Sequence, residues 1–201
     1  MKKNRIDHYI ISNIVSKNSR VLDVGCADGK LLHMLKKKKN VNGQGIEISH
    51  DKVELCLQKG LSVVEGDANK EIIYFPKNSF DYVILSQTLQ TVKQPKLVLD
   101  EILRVGKKAI ISFPNFGHWM CRLQISIYGK MPVTKDLKLP WYDTQNIHLC
   151  TVKDFENLTK EMKVKIEEGY GINRKNNVMK KISWLSYLNL FAAHAVFLIS
   201  K

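Results

Sequence analysis

Apolar residues fall into short runs that alternate with stretches of helical spacing along the first half of the chain. Val21, Leu22 and Val24 form an apolar run typical of a buried strand, and leucines at helical spacing follow from Lys30. The same succession repeats as far as about residue 113. Five strands alternating with helices predict an α/β fold whose parallel sheet is covered on both faces.

The hydrophobic pattern also gives approximate bounds for each element. Strands are predicted at 21–24, 43–48, 61–65, 80–85, 107–113, 163–169 and 193–199. Helices are predicted at 5–17, 30–39, 51–59, 95–105, 119–128 and 151–162. The last of these helices begins at a capping-box pattern formed by Thr151 and Asp154. The long connection over 171–190 suits an antiparallel C-terminal strand at the edge of the sheet.

One long segment departs from this rhythm. At 201 residues the chain is expected to form a single domain, with an insertion over about 114–150 that is rich in aromatic and polar groups. Irregular segments of this length usually carry function. Trp119, Trp141 and Tyr142 in the insertion either form an interface or cover the sheet, and both interpretations stay open.

The first predicted strand ends in a turn of small residues. Gly25, Ala27 and Gly29 are spaced as G-x-A-x-G with Cys26 between the first two, and Asp23 stands two positions before the first glycine. Glycine allows backbone angles closed to other residues and lets a ligand approach the main chain. A dinucleotide fold has G-x-G-x-x-G instead, so an NAD enzyme is disfavoured. A structural turn without a ligand remains the alternative.

This stretch resembles the first motif of class I S-adenosylmethionine (SAM) methyltransferases. The resemblance implies a Rossmann-like α/β fold with a mostly parallel seven-stranded sheet and an antiparallel C-terminal strand. It also implies SAM or S-adenosylhomocysteine as the cofactor, bound at Asp23, Gly25, Cys26, Ala27 and Gly29. Because SAM carries a positive charge and no pyrophosphate, an acid such as Asp23 suits its amino group.

Polar residues follow three further predicted strands, at the edge where ligands bind in open α/β sheets. Glu47 either accepts hydrogen bonds from both ribose hydroxyls or is a solvated charge at the strand end. Asp67 either faces the adenine or caps the next helix, and these two interpretations do not exclude each other. The candidate cofactor-binding residues at these strand ends are Glu47, Gly66, Asp67, Ala68, Ser86 and Gln87.

Charge and composition argue against a nucleic-acid partner. The formal net charge is +13, but only five of the 32 basic residues are arginine. The planar guanidinium group of arginine binds phosphates and bases better than the ammonium group of lysine does. The lysines are scattered along the chain. The sequence also lacks the N/D-P-P-Y-type and Pro-Cys motifs of DNA methyltransferases.

Metal and membrane signals are weak as well. The four cysteines are far apart and have no metal-ligand spacing, so we expect no metal site and predict a reduced, cytoplasmic protein. The basic N-terminus has no long apolar run and does not read as a signal peptide. The apolar stretch over 182–200 is interrupted by Asn189, His194 and serines. This pattern favours the buried end of a soluble domain over a membrane span.

Several longer motifs narrow the resemblance from a fold class to a family. They are S-Q-T-L-Q at 86–90, R-V-G at 104–106, S-F-P-N-F-G-H-W at 112–119, M-P-V-T-K at 131–135 and W-Y-D-T-Q-N-I-H-L-C-T at 141–151. Together they resemble the MetW family of methionine biosynthesis over about residues 5–200. Two positions depart from the family pattern, Ala27 in place of glycine and Gln145 in place of proline.

The family resemblance implies a role in methionine synthesis beside a homoserine O-acyltransferase. One hypothesis is therefore a partner or regulatory subunit that binds SAM, the end product of the pathway. The other is a methyltransferase acting on a small molecule, for which a general base is useful. The candidate bases are His118, His148 and Asp143 in the insertion, although a structural role is the commoner fate of such histidines. Whether the chain is an enzyme stays open.

Overall fold

The structure is a computed structural model that describes residues 5–134, 137, 139–180 and 185–201. Lys135 of the M-P-V-T-K motif and the start of the apolar stretch, 182–184, lie outside the described residues. Strands and helices alternate along the described chain as the hydrophobic pattern predicts.

Eight α-helices are present in the described ranges. They are α1 (Ile6–Ile14), α2 (Lys30–Lys39), α3 (His50–Gln58), α4 (Ala68–Glu71), α5 (Pro95–Val105), α6 (Trp119–Tyr128), α7 (Val152–Glu161) and α8 (Leu185–Phe191). The predicted helices at 95–105 and 119–128 are confirmed residue for residue, whereas α1 ends at Ile14 instead of residue 17. The predicted capping box is present at the start of α7, where the N–H of Asp154 donates to Thr151 Oγ1 at 3.1 Å.

The strands form one sheet. They are β1 (Arg20–Val24), β2 (Asn42–Glu47), β3 (Ser62–Glu65), β4 (Phe80–Ser86), β5 (Gly106–Pro114), β6 (Lys165–Ile172), β7 (Val178–Lys180) and β8 (His194–Ser200). Their order in space is β3-β2-β1-β4-β5-β8-β6-β7. Strands β1 to β5 are parallel, and β8 is antiparallel to both of its neighbours. The predicted α/β fold with an antiparallel C-terminal strand is confirmed.

Two details of the sheet differ from the prediction. The sheet has eight strands instead of seven over the described residues, because β7 pairs with β6 inside the segment predicted as a connection. The Asn173 side chain accepts the N–H groups of Lys175 and Asn177 and stabilises the turn between these strands. The C-terminal strand lies inside the sheet instead of at its edge. Its buried run over 195–199 explains this, since an interior strand is covered on both faces.

Helices pack on both faces of the sheet. On one face, buried residues of α1, α2 and α3 pack against Val21, and they include Ile11, Leu32 and Cys56. On the other face, buried residues of α5, α7 and α8 pack against Leu22. Because β1 to β5 run in the same direction, their carboxyl ends meet at a single edge, where the predicted site residues lie.

Candidate functional site

The turn between β1 and α2 is left-handed at three positions. Gly25, Ala27 and Gly29 have φ angles of +74°, +49° and +69°. The N–H groups of Gly25 and Cys26 donate to the carbonyl oxygen of Ile46 at 2.8 and 3.1 Å, which ties the turn to β2. Such angles favour glycine, so Ala27 is the strained position of the turn.

Close packing gives a second reason for glycine at two of these positions. A Cβ atom at Gly25 would lie 2.6 Å from Thr88 Oγ1, just beyond the end of β4. A Cβ atom at Gly29 would lie 2.5 Å from Leu61 Cδ1 and 2.8 Å from Cys56 Sγ. Gly25 therefore brings the main chain against the end of the neighbouring strand, whereas Gly29 brings it against α3.

Asp23 is a buried acid near the end of β1. The residue is 1% exposed, and its Oδ1 atom has no hydrogen-bond partner among the described residues. Burial raises the pKa of Asp23 from 3.8 to about 7, and the negative charges of Glu47 and Asp7 add to the rise, while Arg5 opposes it. A buried carboxylate without a partner is costly, so this position suits a cationic group of a ligand.

Glu47 holds the glycine turn from the end of β2. Its Oε2 atom accepts the N–H of Ala27 at 2.8 Å, and its Oε1 atom accepts the N–H of Ser49 at 3.0 Å. The residue is 5% exposed, so it is not a solvated strand-end charge. Each carboxylate oxygen still has a lone pair available, because a carboxylate has about four acceptor sites.

Asp67 follows β3 and caps the short helix α4. Its Oδ1 atom accepts the N–H of Asn69 at 2.9 Å, and this hydrogen bond lowers the pKa of Asp67. The N–H of Gly66 donates to the carbonyl oxygen of Glu47 at 2.9 Å, which holds this segment against the end of β2. The capping role predicted for Asp67 is therefore present, and it leaves the other oxygen available to a ligand.

These strand ends surround a cavity of about 450 Å³, which we call the strand-end cavity. Its volume lies within the range of small-molecule sites. Gly29 is the one predicted cofactor-binding residue that does not line it, because this glycine faces α3. The ten predicted residues that do line it are Asp23, Gly25, Cys26, Ala27, Glu47, Gly66, Asp67, Ala68, Ser86 and Gln87.

Further polar residues that were not predicted also line the strand-end cavity. They include Arg5, His8, Lys30, Lys52 and Gln145. Burial is the main cause that lowers the pKa of His8 to about 4, so its imidazole is neutral at pH 7. Sequence reasoning missed these residues because none of them directly follows a strand. Arg5 and His8 reach the cavity only through the packing of α1 against α2 and β8.

The three candidate bases of the insertion do not line the strand-end cavity. His118 is buried, and its Nδ1 atom accepts the N–H of Met120 at 3.2 Å, which caps α6. The main-chain N–H of His148 donates to the carbonyl oxygen of Gln90 at 3.1 Å, and its Nε2 atom is buried without a hydrogen-bond partner in the described part of the chain. Asp143 is exposed.

A second cavity of about 720 Å³ lies within the insertion. Most of its wall is apolar, with Phe116, Met131, Trp141 and Leu149 among the lining residues. Gln145, which replaces the proline of the family pattern, borders both cavities. The two cavities are therefore neighbours that share one wall.

Many apolar side chains of the insertion that holds this second cavity are exposed. In α6 only Cys121 is buried, so the apolar residues of that helix face outward. Patches of this kind usually mark sites of protein or ligand binding. We define the insertion face by its exposed residues, which are Trp119, Leu123, Ile125, Ile127, Tyr128, Met131, Val133, Leu139, Trp141, Tyr142, Ile147 and Leu149.

Metal-binding clusters and membrane-spanning helices are both missing from the described ranges. Over the residues that the structure describes, no cluster of three or more His, Cys, Asp or Glu side chains is arranged to hold a metal ion. In the same ranges, no helix combines the length and the apolar character needed to cross a membrane.

Solved structures share this fold. A SAM-dependent methyltransferase from Mesorhizobium loti superposes with a TM-score of 0.71 over 98% of this chain and 99% of its own, at 13% identity. A SAM-dependent methyltransferase from Thermotoga maritima, described as a possible histamine N-methyltransferase, gives a TM-score of 0.69 over 96% of this chain and 87% of its own, at 16% identity. The chain therefore has the Rossmann-like fold of the SAM-dependent methyltransferases.

Sequence similarity identifies the family within that fold. Residues 5–199 match the family described as methionine biosynthesis protein MetW, so the chain belongs to the MetW family. A bifunctional methionine biosynthesis protein MetXA/MetW from Rhodopirellula baltica is 33% identical over 172 residues, which cover 81% of this chain but only 28% of that relative. An uncharacterized protein from Methanocaldococcus jannaschii is 25% identical over 147 residues, covering 63% of this chain and 67% of its own.

Proposed function

We propose that the strand-end cavity binds SAM or S-adenosylhomocysteine. Asp23 accepts hydrogen bonds from the ammonium group, Glu47 from the ribose hydroxyls and Asp67 from the adenine amine. The buried, unpartnered Oδ1 atom of Asp23 supports a cationic group at that point. When SAM is bound it supplies an activated methyl group, while the residues named here bind and orient it.

We further propose that the protein acts in methionine biosynthesis as a partner or regulatory subunit of a homoserine O-acyltransferase. The observation that carries this proposal is the relative in which a MetW part and a MetXA part share one name and one chain. Two functions fused in one chain in one organism are commonly associated as separate chains in another. A cytoplasmic location for this pair stays a prediction.

The insertion face is the surface we propose for the acyltransferase. Trp141 and Tyr142 are 71% and 70% exposed, although aromatic side chains of this size usually dominate cores and interfaces. Aromatic residues are also the commonest energetic centres of protein interfaces. Because of this exposure, the interface interpretation is favoured over the alternative that these two residues cover the sheet.

A chain of hydrogen bonds joins the insertion face to the strand-end cavity. The N–H groups of Ile147 and His148 donate to the carbonyl oxygen of Gln90 at 3.0 and 3.1 Å. Gln90 Nε2 in turn donates to the carbonyl oxygen of Gln87 at 2.8 Å, and Gln87 lines the strand-end cavity. SAM regulates the complex through this link if it binds two states of the insertion with different affinity.

The experiment that tests the partner role measures acyl transfer to homoserine by the acyltransferase of the same organism. The rate is measured with and without this protein across a titration of SAM. We expect the rate to depend on the protein and this dependence to change with SAM. A rate that ignores the protein, together with separate elution of the two proteins, would contradict the partner role.

A second candidate function is methyl transfer from SAM to a small molecule. The observation that favours it is the apolar cavity beside the strand-end cavity, since methyltransferases act largely by holding donor and acceptor in line. Candidate acceptors with apolar groups can be screened with methyl-labelled SAM. Labelled product and S-adenosylhomocysteine formed in equal amounts would support this function.

A further inference from the structure

Arg5 lies between α1 and the end of β4, on the wall of the strand-end cavity. Its Nη2 atom donates to Ser86 Oγ at 3.0 Å, although the two residues are 81 positions apart. Arg5 is the residue just before α1, and its backbone is extended there. The guanidinium group therefore reaches the cavity from the N-terminal segment, far in sequence from the glycine turn.

Asp7 fixes the orientation of this guanidinium group. The residue is 5% exposed, and it accepts hydrogen bonds from Arg5 Nε at 3.1 Å, from Arg5 Nη2, and from the hydroxyls of Ser86 and Ser112 at 3.2 Å each. Burial opposes ionisation of Asp7, but the hydrogen bond and charge of Arg5 together with the other contacts hold its pKa below the usual value. Arg5 is thus held by a buried carboxylate and not only by contacts at the surface.

Part of the Arg5 fork remains available to a ligand. The hydrogen bonds of the side chain use Nε and Nη2, and Nη1 has no hydrogen-bond partner in the described chain. Arginine presents five N–H donors in one plane. Asp7 and Ser86 use those of Nε and Nη2, which leaves the two N–H groups of Nη1 for a ligand oxygen. The Arg5 guanidinium group is held in place at the cavity wall and has free N–H donors. It can therefore bind an anion.

The other basic residues of the cavity wall are less suited to this role. Lys30 forms an ion pair with Asp28, and Lys52 Nζ lies 3.9 Å from Glu47 Oε1, beside the proposed ribose site. His8 is neutral at pH 7 because its pKa is lowered to about 4. Arg5 instead donates to Ser86, which lies two residues beyond Ile84, the partner of Asp23 in the pairing of β1 with β4. The positive Arg5 and the buried Asp23 therefore share one end of the cavity.

We propose that Arg5 binds the carboxylate of the amino-acid end of SAM while Asp23 binds the ammonium group beside it. This inference rests on the proposed binding of SAM in the strand-end cavity. The site then recognises both charges of the amino-acid group, and the N-terminal segment becomes part of the binding site. Asp7, which also accepts the hydroxyls of Ser86 and Ser112, positions Arg5.

The test compares SAM with decarboxylated SAM, which keeps the adenosine, the sulfonium and the amine but lacks the carboxylate. Calorimetric titrations use the full chain and the variants Arg5→Ala, Arg5→Lys and Arg20→Ala. Arg20 is a matched control, because it is 46% exposed against 47% for Arg5 and pairs with Asp81 instead of the cavity acids.

We expect the natural chain to bind SAM about tenfold more tightly than decarboxylated SAM, a typical value for a charge-assisted hydrogen bond. Arg5→Ala should remove this preference by weakening SAM alone about tenfold. Arg5→Lys should restore part of it, because lysine supplies the charge without the fork. Arg20→Ala should change neither affinity.

Two outcomes would overturn the inference while leaving SAM binding intact. One is a natural chain that binds both ligands equally well, a result that does not depend on any variant folding correctly. The other is an Arg5→Ala variant that loses affinity for both ligands to the same extent, because Arg5 would then act only through Asp7 and the packing of α1. Failure of the natural chain to bind SAM at all would overturn the proposed cofactor site together with the inference.

Discussion

The strand-end cavity and the insertion face each place residues in the environment that such residues usually avoid. In the cavity, charged groups are buried, as Asp23 and Glu47 are 1% and 5% exposed. On the insertion face, aromatic groups are exposed, as Trp141 and Tyr142 show at 71% and 70%. Each arrangement is costly for an isolated chain. We expect a different kind of partner to relieve each, a small charged ligand for the cavity and a protein surface for the insertion face.

The two regions also differ in how their geometry is maintained. The cavity wall is formed by strand ends and a turn whose N–H groups are bonded to β2, so its shape follows from the sheet. Most of the described part of the insertion beyond α6 has no helix or strand, and it is anchored at a few points such as Gln90. We therefore expect substitutions in the cavity to change stability and ligand binding together. Substitutions on the insertion face should change association alone.

The largest expected effect is the pH dependence that Asp23 causes. Its pKa is about 7 in the folded state, against 3.8 for an unperturbed aspartate, so the folded state holds an extra proton between these values. Folding stability from this group is present below about pH 4 and is lost as the pH rises to 7. The difference between these two pKa values corresponds to about 4 kcal/mol in the free energy of unfolding, as an upper limit.

The variant Asp23→Asn removes this titration. Between pH 4 and 8 the free energy of unfolding of the variant should therefore rise relative to the natural chain by up to about 4 kcal/mol. Urea unfolding at a series of pH values measures the difference. Parallel pH profiles for the two proteins would show that the Asp23 carboxyl group is not raised in pKa.

The next largest effect is expected at Gly25. Gly25→Ala places a left-handed alanine against Thr88, and we expect a loss of about 3 kcal/mol in the free energy of unfolding from backbone strain and overpacking. Gly60→Ala is a matched control, because its φ angle is +67° but nothing lies within 4 Å of the added Cβ. It should cost only the strain, about 1 kcal/mol. Equal losses would mean that Thr88 moves aside freely.

Glu47 tests the cavity as a binding site. Glu47→Ala should weaken SAM binding by about 1–3 kcal/mol, and it should also destabilise the fold because two N–H groups lose their acceptor. Glu65→Ala is the control, since Glu65 ends β3 in register with Glu47 but does not line the cavity. Calorimetry should show normal SAM affinity for the control. An unchanged SAM affinity in Glu47→Ala would show that Glu47 does not bind the ribose hydroxyls.

A substitution of Trp141 tests the insertion face as a surface for the acyltransferase. Trp141→Ala should weaken association with the acyltransferase by about 2 kcal/mol, as expected for an aromatic residue at the centre of an interface. Its free energy of unfolding should change by less than about 0.5 kcal/mol, because the side chain is exposed. Tyr74→Ala, at a position that is 76% exposed and outside the insertion face, is the control. A similar loss of association in both variants would contradict the assigned surface.

The smallest effect is expected at Ala27. Its φ of +49° favours glycine, and Ala27→Gly should relieve about 1 kcal/mol of strain. The greater freedom of glycine in the unfolded chain offsets part of this gain, which leaves about 0.5 kcal/mol. Ala68→Gly, at another alanine of the cavity wall, should destabilise instead, because Ala68 begins α4. A destabilised Ala27→Gly variant would mean that the turn is not strained.

Sequence patterns predicted the parts of the fold that depend on neighbouring residues. The periodicity of apolar residues located each predicted helix and strand to within a few residues, since side-chain burial on one face sets that period. Ten of the eleven predicted residues line one cavity. Those of the glycine turn were predicted from the resemblance to SAM methyltransferases, and the others from the rule that ligands bind at the carboxyl ends of parallel strands. The turn over 173–177 is a local signal that was overlooked, because asparagines frequently close such turns.

The sequence by itself thus determined the alternation of strands and helices from β1 to β5, the glycine turn and the acids at the ends of β1, β2 and β3. Tertiary structure alone decided that Arg5 reaches Ser86, that β8 lies inside the sheet, and that His118 and His148 stay out of the cavity wall. The physical reason is the range of the interactions. Helix periodicity and turn angles are set over a few residues, whereas these three features depend on contacts between segments that the chain brings together only when the sheet has formed.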